Sequence, residues 1–411
     1  MKPESLLADT LRDWSREAEV PHDLADRALR GRTRHRLRRT ASAAILTAAV
    51  VAAGVVVPQL VRDQRAVTTT AGPSDEIRIS VAPSEPAETD VRTDTENSPP
   101  VRLIAAGRVA VSAYTIVRAE KLPDEMVHYR YTWYLYDPAA GTYEKTPWAK
   151  LDVAPGLKYA AVLEDALPVR RVGIVDTSTR AIVKWIGLDH PVADVAWSPD
   201  GTRLLTTAYD RDPDVRLDYT AEGRHEPASP SRSGFHLVDV NSGAAEFHAQ
   251  PEPRTENMCP SDSDLGPFHW TDDGALIWDS TCTTPSKTFY DLQGAPHDPP
   301  NGWIHPWMSS EEAGISPDGR LYADGGAPPG PQTRVRNVET GEIAGTQTML
   351  QLLAWADDEH LIGLGCAGKC EDEFHSGLAL VGVDGEPVTR LSADQKNSDS
   401  PGSWRPIFTR R

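Results

Sequence analysis

From residue 101 onward the chain repeats one pattern of apolar and polar positions. A short apolar run ends in a small or aromatic residue, a polar turn follows, and a second apolar run begins. Two copies are Val195-Ala196-Trp197-Ser198-Pro199-Asp200-Gly201 before Leu204-Leu205, and Phe268-His269-Trp270-Thr271-Asp272-Asp273-Gly274 before Leu276-Ile277-Trp278. Gly314-Ile315-Ser316-Pro317-Asp318-Gly319 and Leu353-Ala354-Trp355-Ala356-Asp357-Asp358-Glu359 continue the series, and Asp152-Val153-Ala154-Pro155-Gly156 is a weaker copy. Ser suits the first position of a type I turn and Pro pre-sets φ at the second. Asp bonds its own backbone, and Gly accepts the left-handed conformation that closes the hairpin. The residues just before the turns are Ile104, Val153, Trp197, Trp270, Ile315 and Trp355, at intervals of 49, 44, 73, 45 and 40 residues. A near-regular series at this period predicts an array of four-stranded units, with an insertion in the long interval.

A second turn recurs in each repeat, where a strand runs into Asp or Asn. Copies are Trp133-Tyr134-Leu135-Tyr136-Asp137-Pro138, Val172-Gly173-Ile174-Val175-Asp176-Thr177, Phe235-His236-Leu237-Val238-Asp239-Val240, Val335-Arg336-Asn337-Val338-Glu339-Thr340 and Leu380-Val381-Gly382-Val383-Asp384-Gly385. Over residues 101–411 the repeat resembles that of TolB-type, WD40-like β-propellers, whose turn is the Ser-Pro-Asp-Gly found here at Ser198, Pro199, Asp200, Gly201 and at Ser316, Pro317, Asp318, Gly319. The recurring Gly-His and Trp-Asp pairs of true WD40 repeats are absent. The resemblance implies an all-β fold, a propeller of four-stranded blades, often with a protein-binding role. Six blades are expected, or seven, with residues 404–408 as a ring-closing strand.

The N-terminal hundred residues are different in kind. Residues 41–61 carry no charge, and twenty-one residues in a helix span roughly 30 Å, the thickness of a hydrocarbon core. Arg32, Arg34, Arg36, Arg38 and Arg39 precede the run. This excess predicts a single transmembrane helix with residues 1–40 cytoplasmic and the propeller outside. The leader is too long for a cleaved signal peptide. Residues 62–100, rich in Thr, Ser, Pro and acids, are expected to form a disordered stalk, since they cannot bury enough apolar area to offset chain entropy. In the tail, Leu7, Leu11, Trp14 and Ala18 share one helical face. That face suits anionic lipid, or docking to a cytosolic regulator such as a sigma factor. The layout is similar to that of membrane-anchored anti-sigma factors, but the tail has no Cys for their zinc motif.

Charge narrows the partners. The chain carries −18 overall, while its first 40 residues are basic. The acidic remainder repels phosphates, so nucleic acid is not an expected partner. All four cysteines follow the apolar run, where disulfides are expected: Cys259 with Cys282, and Cys366 with Cys370. A zinc site from Cys366, Cys370, His375 and His360 is the rival reading, with looser spacing than zinc motifs use. In an up-and-down blade the tight turns share one rim, and the long segments gather on the other. That long-loop rim is the expected working face for an envelope protein or ligand, with Trp303 and Trp307 as anchors and Asp262, Asp264, Glu371 and Asp372 as acidic contacts. These acids could also hold Ca²⁺, although a hard cation needs six or more converging oxygens. No catalytic motif, metal site or cofactor site stands out, so a non-enzymatic binding module is expected. A transmembrane sensor is the second reading, and an enzyme acting on an envelope polymer the third. Tyr129, Tyr131 and Trp133 alternate as one face of a strand would.

Overall fold

The computed structural model describes residues 90–123, 126–217, 231–250, 266–280, 287–300, 313–325, 332–367, 375–386, 388–395 and 402–411. The basic tail, the apolar run 41–61 and most of the expected stalk lie outside this set. No helix among the described residues is long and apolar enough to cross a membrane.

The described secondary structure is all β, in antiparallel sheets arranged like the blades of a propeller. The first sheet is built on the hairpin of β2 (Val109–Lys121) and β3 (Met126–Asp137), edged by β1 (Ala105–Ala106) and β4 (Thr142–Lys145). It also receives β10 (Val215–Leu217) on β3 and the C-terminal β24 (Trp404–Arg410) on β2. The second sheet has seven strands: β5 (Lys150–Val153), β6 (Tyr159–Leu163), β7 (Val169–Asp176), β8 (Ile182–Trp197), β9 (Arg203–Tyr209), β11 (Arg232–Asp239) and β12 (Ala245–Ala249). Then come a four-stranded sheet of β13 (His269–Trp270), β14 (Ile277–Ser280), β15 (Lys287–Tyr290) and β16 (Pro296–His297), and a three-stranded sheet of β17 (Leu321–Asp324), β18 (Thr333–Asn337) and β19 (Ile343–Gln347). The last is a four-stranded sheet of β20 (Met349–Trp355), β21 (His360–Gly365), β22 (Gly377–Gly382) and β23 (Val388–Arg390).

The repeat predicted six or seven separate four-stranded sheets, and this count needs correction: the described strands form five. The cause is β8. It pairs with β7 from Ile182 to Gly187 and again at Val192, and with β9 from Val192 to Trp197, so both partners meet it at Val192. The strand changes partner around Pro191, which has no N–H to donate to a ladder, and so joins two repeat lengths into one sheet. In the three-stranded sheet the inner position is held by an isolated bridge, Ile315 to Tyr322.

The tight turns are built alike. Ser198 Oγ donates to Asp200 Oδ1 (2.6 Å) and accepts from the Arg203 amide (2.9 Å), while Gly201 closes the turn on the Ser198 carbonyl (2.8 Å) with φ 69°. Ser316 repeats this with Asp318 (2.7 Å) and the Leu321 amide (2.9 Å), and Thr271 does so with Asp273 (2.6 Å) and the Leu276 amide (3.0 Å). The second turns use an Asp or Asn oxygen to catch the amides ahead of it. Asp137 takes Ala139 (2.8 Å), Asp176 takes Thr179 (2.9 Å), Asp239 takes Ser242 (2.7 Å) and Asn337 takes Thr340 (2.9 Å). Asp291, holding the Gln293 amide (2.9 Å), is a further copy that the sequence pattern did not reveal.

Inner strands are tied to one another by contacts at the residues before the turns. Trp197 donates its indole N–H to the Asp152 carbonyl (3.2 Å), Trp270 to Ala196 (3.4 Å) and Trp355 to Gly314 (3.2 Å). The Ile315 amide reaches Asp272 Oδ2 (3.0 Å) and the Arg108 amide reaches the Ala356 carbonyl (2.8 Å). Gly156 donates to the Arg410 carbonyl (2.8 Å) and Thr409 Oγ1 to the Val153 carbonyl (3.3 Å), so the circuit returns to its start. Closure is reinforced by residues 90–100, which were expected to belong to the stalk. Arg92 bridges to Ala105 in the first sheet and Asp94 to Ser392 beside the last. Asp94 is fully buried and accepts from the amides of Val101 (2.7 Å) and Arg102 (2.9 Å) and from Asn97 (2.7 Å).

Two substitutions test the seams by urea denaturation of the full chain. Trp197→Phe removes an indole donor and leaves the Asp152 carbonyl short of a partner, so a loss of about 1–2 kcal/mol is expected. Gly107→Ala should cost more, at least ~2 kcal/mol. Gly107 has φ +53°, and a Cβ there would lie 2.1 Å from the Ala356 carbonyl oxygen. A Gly107→Ala protein as stable as wild type would show that this seam does not close the ring.

Candidate functional site

The inner strands enclose two adjoining cavities bordered by the tight turns. One has a volume of about 830 Å³ and touches Asp152, Trp197, Ser198, Pro199, Trp270, Gly314 and the stretch Arg405 to Arg410. The other, about 570 Å³, touches Arg108, Ile315, Ser316, Pro317, Gly319 and Trp355. Thr271, Asp272, Phe408 and Arg410 line both. The walls therefore come from all the inner strands, and they lie where the pre-turn residues meet.

The wall mixes apolar and polar surface, the larger cavity being mostly apolar, and its charged groups are held in unusual states. Trp278 is stacked on His269 at 4.3 Å between ring centroids, and Lys287 Nζ sits 3.9 Å from the centre of the same indole. The register of β13 on β14 places His269 opposite Trp278. Burial pushes the Lys287 ammonium down to about 8, against the pull of Asp272. Burial also pushes His269 down to about 4, helped by the positive Lys287 and Arg232. Asp152 accepts from the amides of Trp197 (2.7 Å) and Val153 (2.9 Å). Its surroundings still raise its carboxyl to about 7, because desolvation outweighs both donors. Arg410 donates to the Asp272 carbonyl (3.0 Å) and braces the turn that separates the two cavities. This wall holds an amine and a carboxyl whose charged forms are both disfavoured by burial, alongside Arg405 and Arg410. It can match donors and acceptors of a polar ligand of either sign.

At the opposite ends of the inner strands lies the described part of the long-loop rim. Lys150 Nζ is 3.2 Å from Asp214 and 4.5 Å from the Tyr131 ring centre, and His128 Nε2 is 3.3 Å from Asp212. Burial opposes the Lys150 charge, but Asp214 and Asp194 outweigh it and hold the ammonium above its ordinary range. Asp194 is raised to about 6 by burial, with Lys150 pulling the other way. This buried ionic group was not foreseen; its members lie far apart in sequence, and the pairing of β10 with β3 brings Asp212 and Asp214 to His128 and Lys150.

The expected anchors of that rim, Trp303, Trp307, Asp262, Asp264, Glu371 and Asp372, lie outside the described residues, as do Cys259, Cys282 and Cys370. Cys366 is disulfide-bonded; its partner lies outside the described residues, so neither expected pairing is seen directly. Of the expected turn residues, Ser198, Pro199, Ser316, Pro317 and Gly319 border the cavities as well as closing hairpins, while Asp200, Gly201 and Asp318 serve the turns. Trp133 is buried with its indole on the Ala149 carbonyl (2.7 Å), while Tyr129 and Tyr131 are half-buried.

The fold and its ringed inner strands define the class of protein as a β-propeller. No protein-family model matches the chain, and no curated protein does. Among solved structures, TolB from Acinetobacter baumannii is similar at 16% identity and a TM-score of 0.40, covering 73% of this chain and 67% of that one. A chain of the mitotic checkpoint complex is similar at 13% identity and 0.36, covering 89% and 99%. A chain of Kuenenia stuttgartiensis hydrazine synthase is similar at 12% and 0.34, covering 60% and 68%. Likenesses this distant carry nothing about ligand or activity, and the propeller assignment rests on the strands and seams described above.

The raised carboxyls of Asp152 and Asp194 set a pH dependence. A group whose folded pKa exceeds its unfolded value stabilises fully below the unfolded value and loses that contribution as pH rises through the folded one. Each carboxyl should therefore remove stability as pH rises from about 4, through about 7 for Asp152 and about 6 for Asp194, by up to ~1 kcal/mol per pH unit. His269, held down to about 4, adds stability from about pH 4 to 6.5 and offsets part of that fall. Asp152→Asn and Asp194→Asn should each flatten the fall, measured as urea midpoints across that range. Equal slopes in wild type and both variants would place the two carboxyls in ordinary surroundings.

Proposed function

We propose that the chain is a single-pass membrane protein whose β-propeller stands outside the cytoplasm as a non-enzymatic module that binds an envelope protein or a polar ligand. The observation that carries the binding role is the axial cavity, where Lys287, Arg405 and Arg410 face Asp152 and Asp272 within one wall. Rigid inner strands hold these groups in place, as a recognition site requires. The long-loop rim, with Trp303 and Trp307, is the second surface open to the same partner.

The membrane assignment rests on residues 41–61 and on the arginines before them. The spacing of Leu7, Leu11 and Trp14 favours a sensor, in which propeller occupancy is passed to a cytosolic regulator bound by the tail.

Proximity labelling from each end of the full chain in intact cells tests these assignments. Envelope proteins are expected at the propeller label. Lys287→Glu combined with Arg405→Glu should lower capture of the principal one by ~10-fold or more, the scale of losing one charged contact. If that variant captures normally while Trp303→Ala with Trp307→Ala does not, the working face is the long-loop rim and the axial site is rejected. A transcriptional regulator at the tail label, lost in Leu7→Ala with Trp14→Ala, would make the protein a sensor. Cytosolic proteins at the propeller label would overturn the orientation.

A further inference from the structure

A second constellation lies away from the axis, at the crease where β8 leaves one half of the seven-stranded sheet for the other. Asp189 Oδ1 is 2.7 Å from His236 Nε2 and 3.1 Å from His190 Nδ1, and the three ligand atoms all lie within 4.8 Å of one another. In a tetrahedral zinc site with bonds of ~2.0–2.1 Å, ligand atoms stand about 3.3 Å apart. The three side chains are thus gathered at nearly the spacing a metal would impose.

Their supports resemble those of a metal site as well. Thr206, His236 and Phe247 form one cross-strand row, since His236 pairs with Thr206 on β9 and with Phe247 on β12. The His236 side chain is fully buried, and its Nδ1 lies 3.3 Å from Thr206 Oγ1. That contact fixes the ring and directs Nε2 outward at Asp189. A ligating histidine commonly has its second nitrogen held in this way. Phe247 stacks on His190 at 3.6 Å and lies 5.0 Å from His236, so one aromatic ring positions both imidazoles. Asp189 and His190 remain 71% and 43% exposed, which leaves one side open to solvent. Arg170 donates to the backbone carbonyl of Asp189, not to its carboxylate, which contacts both imidazoles.

We infer that Asp189, His190 and His236 form a binding site for a divalent metal ion of the zinc class, with a fourth position open to water or to a group from a partner. Two imidazoles and one carboxylate suit zinc and its neighbours, whereas calcium and magnesium need more oxygens. Without metal, an Nε2–H of His236 donates to Asp189 and Nδ1 faces the Thr206 hydroxyl; a metal on Nε2 takes the other tautomer, in which the neutral ring keeps its one proton on Nδ1 and donates it to Thr206 Oγ1. Because β8 and β11 both contribute, an ion there pins the crease between the two halves of the sheet.

The test is zinc chloride titration of the chelator-stripped full chain in detergent, followed by calorimetry and by thermal unfolding, with cobalt(II) absorption as the coordination readout. Asp189→Asn and His190→Ala alter exposed side chains and should leave the fold intact. One equivalent is expected to bind wild type and raise its unfolding temperature. Each variant should weaken that equivalent by more than ~10-fold and abolish the thermal shift, while His360→Ala, which removes an imidazole elsewhere, should change neither. Wild type without a stoichiometric site, or variants that titrate like wild type, would reduce the trio to a surface ion pair.

Discussion

The structure depends on one recurring contact, in which a donor on an inner strand is accepted by the inner strand before it. Three of these donors are the indole N–H groups of Trp197, Trp270 and Trp355. A tryptophan is well suited to the place. Its ring fills the wedge between two sheets, and its single N–H satisfies a carbonyl that no ladder reaches. Trp355, for example, packs with Ala323, Val335 and Leu361. Where the pattern has Ile315 in place of tryptophan, the seam is made by an acid instead: Asp272 accepts the Ile315 amide. The geometry of the joint is retained although the chemistry changes.

Because the joints lie at the ends of the inner strands, they also shape the cavity. The Asp152 carbonyl that receives Trp197 belongs to the same residue whose carboxylate takes the Trp197 amide. Seam and cavity wall are therefore one set of residues, and the wall cannot relax to hydrate its charges without opening a seam. This is a sufficient reason for the raised carboxyl of Asp152 and the lowered ammonium of Lys287. Both groups border the cavity, yet protein surrounds them too closely for bulk water to stabilise charge.

Much of this was legible in the chain, and what was hidden had physical causes. The tight turns follow from residue chemistry at four consecutive positions, so Ser198 and Ser316 could be recognised as turn residues, and Thr271 by substitution of one hydroxyl for another. The second turns were legible where an apolar strand preceded the Asp; Asp291 follows only the short β15 and escaped notice. The fusion of two repeats along β8 was hidden because proline ordinarily signals a break, and here it marks a change of partner. Residues 90–100 were read as stalk from composition. Composition could not show that Asp94 would collect three hydrogen-bond donors, enough to outweigh its burial and hold its carboxyl below the ordinary range. The axial site and the Asp189 group were not legible at all, since each is assembled from strands more than forty residues apart.

The position of Asp94 bears on what a tether would do. The lead-in reaches the first sheet through Arg92 and the border of the last through Asp94. Ser98 accepts from the Trp404 indole (3.0 Å), and Asp90 from Arg411 (2.8 Å), so it also grips the C-terminal strand at both ends. A pull arriving from the N-terminal side would thus meet the first sheet, the closing strand and the last sheet together, instead of peeling a single edge. Edge strands are the weak points of a sheet protein, and the closing strand of a propeller is the natural place for such a failure. Fastening the lead-in across that strand protects the ring where it is weakest.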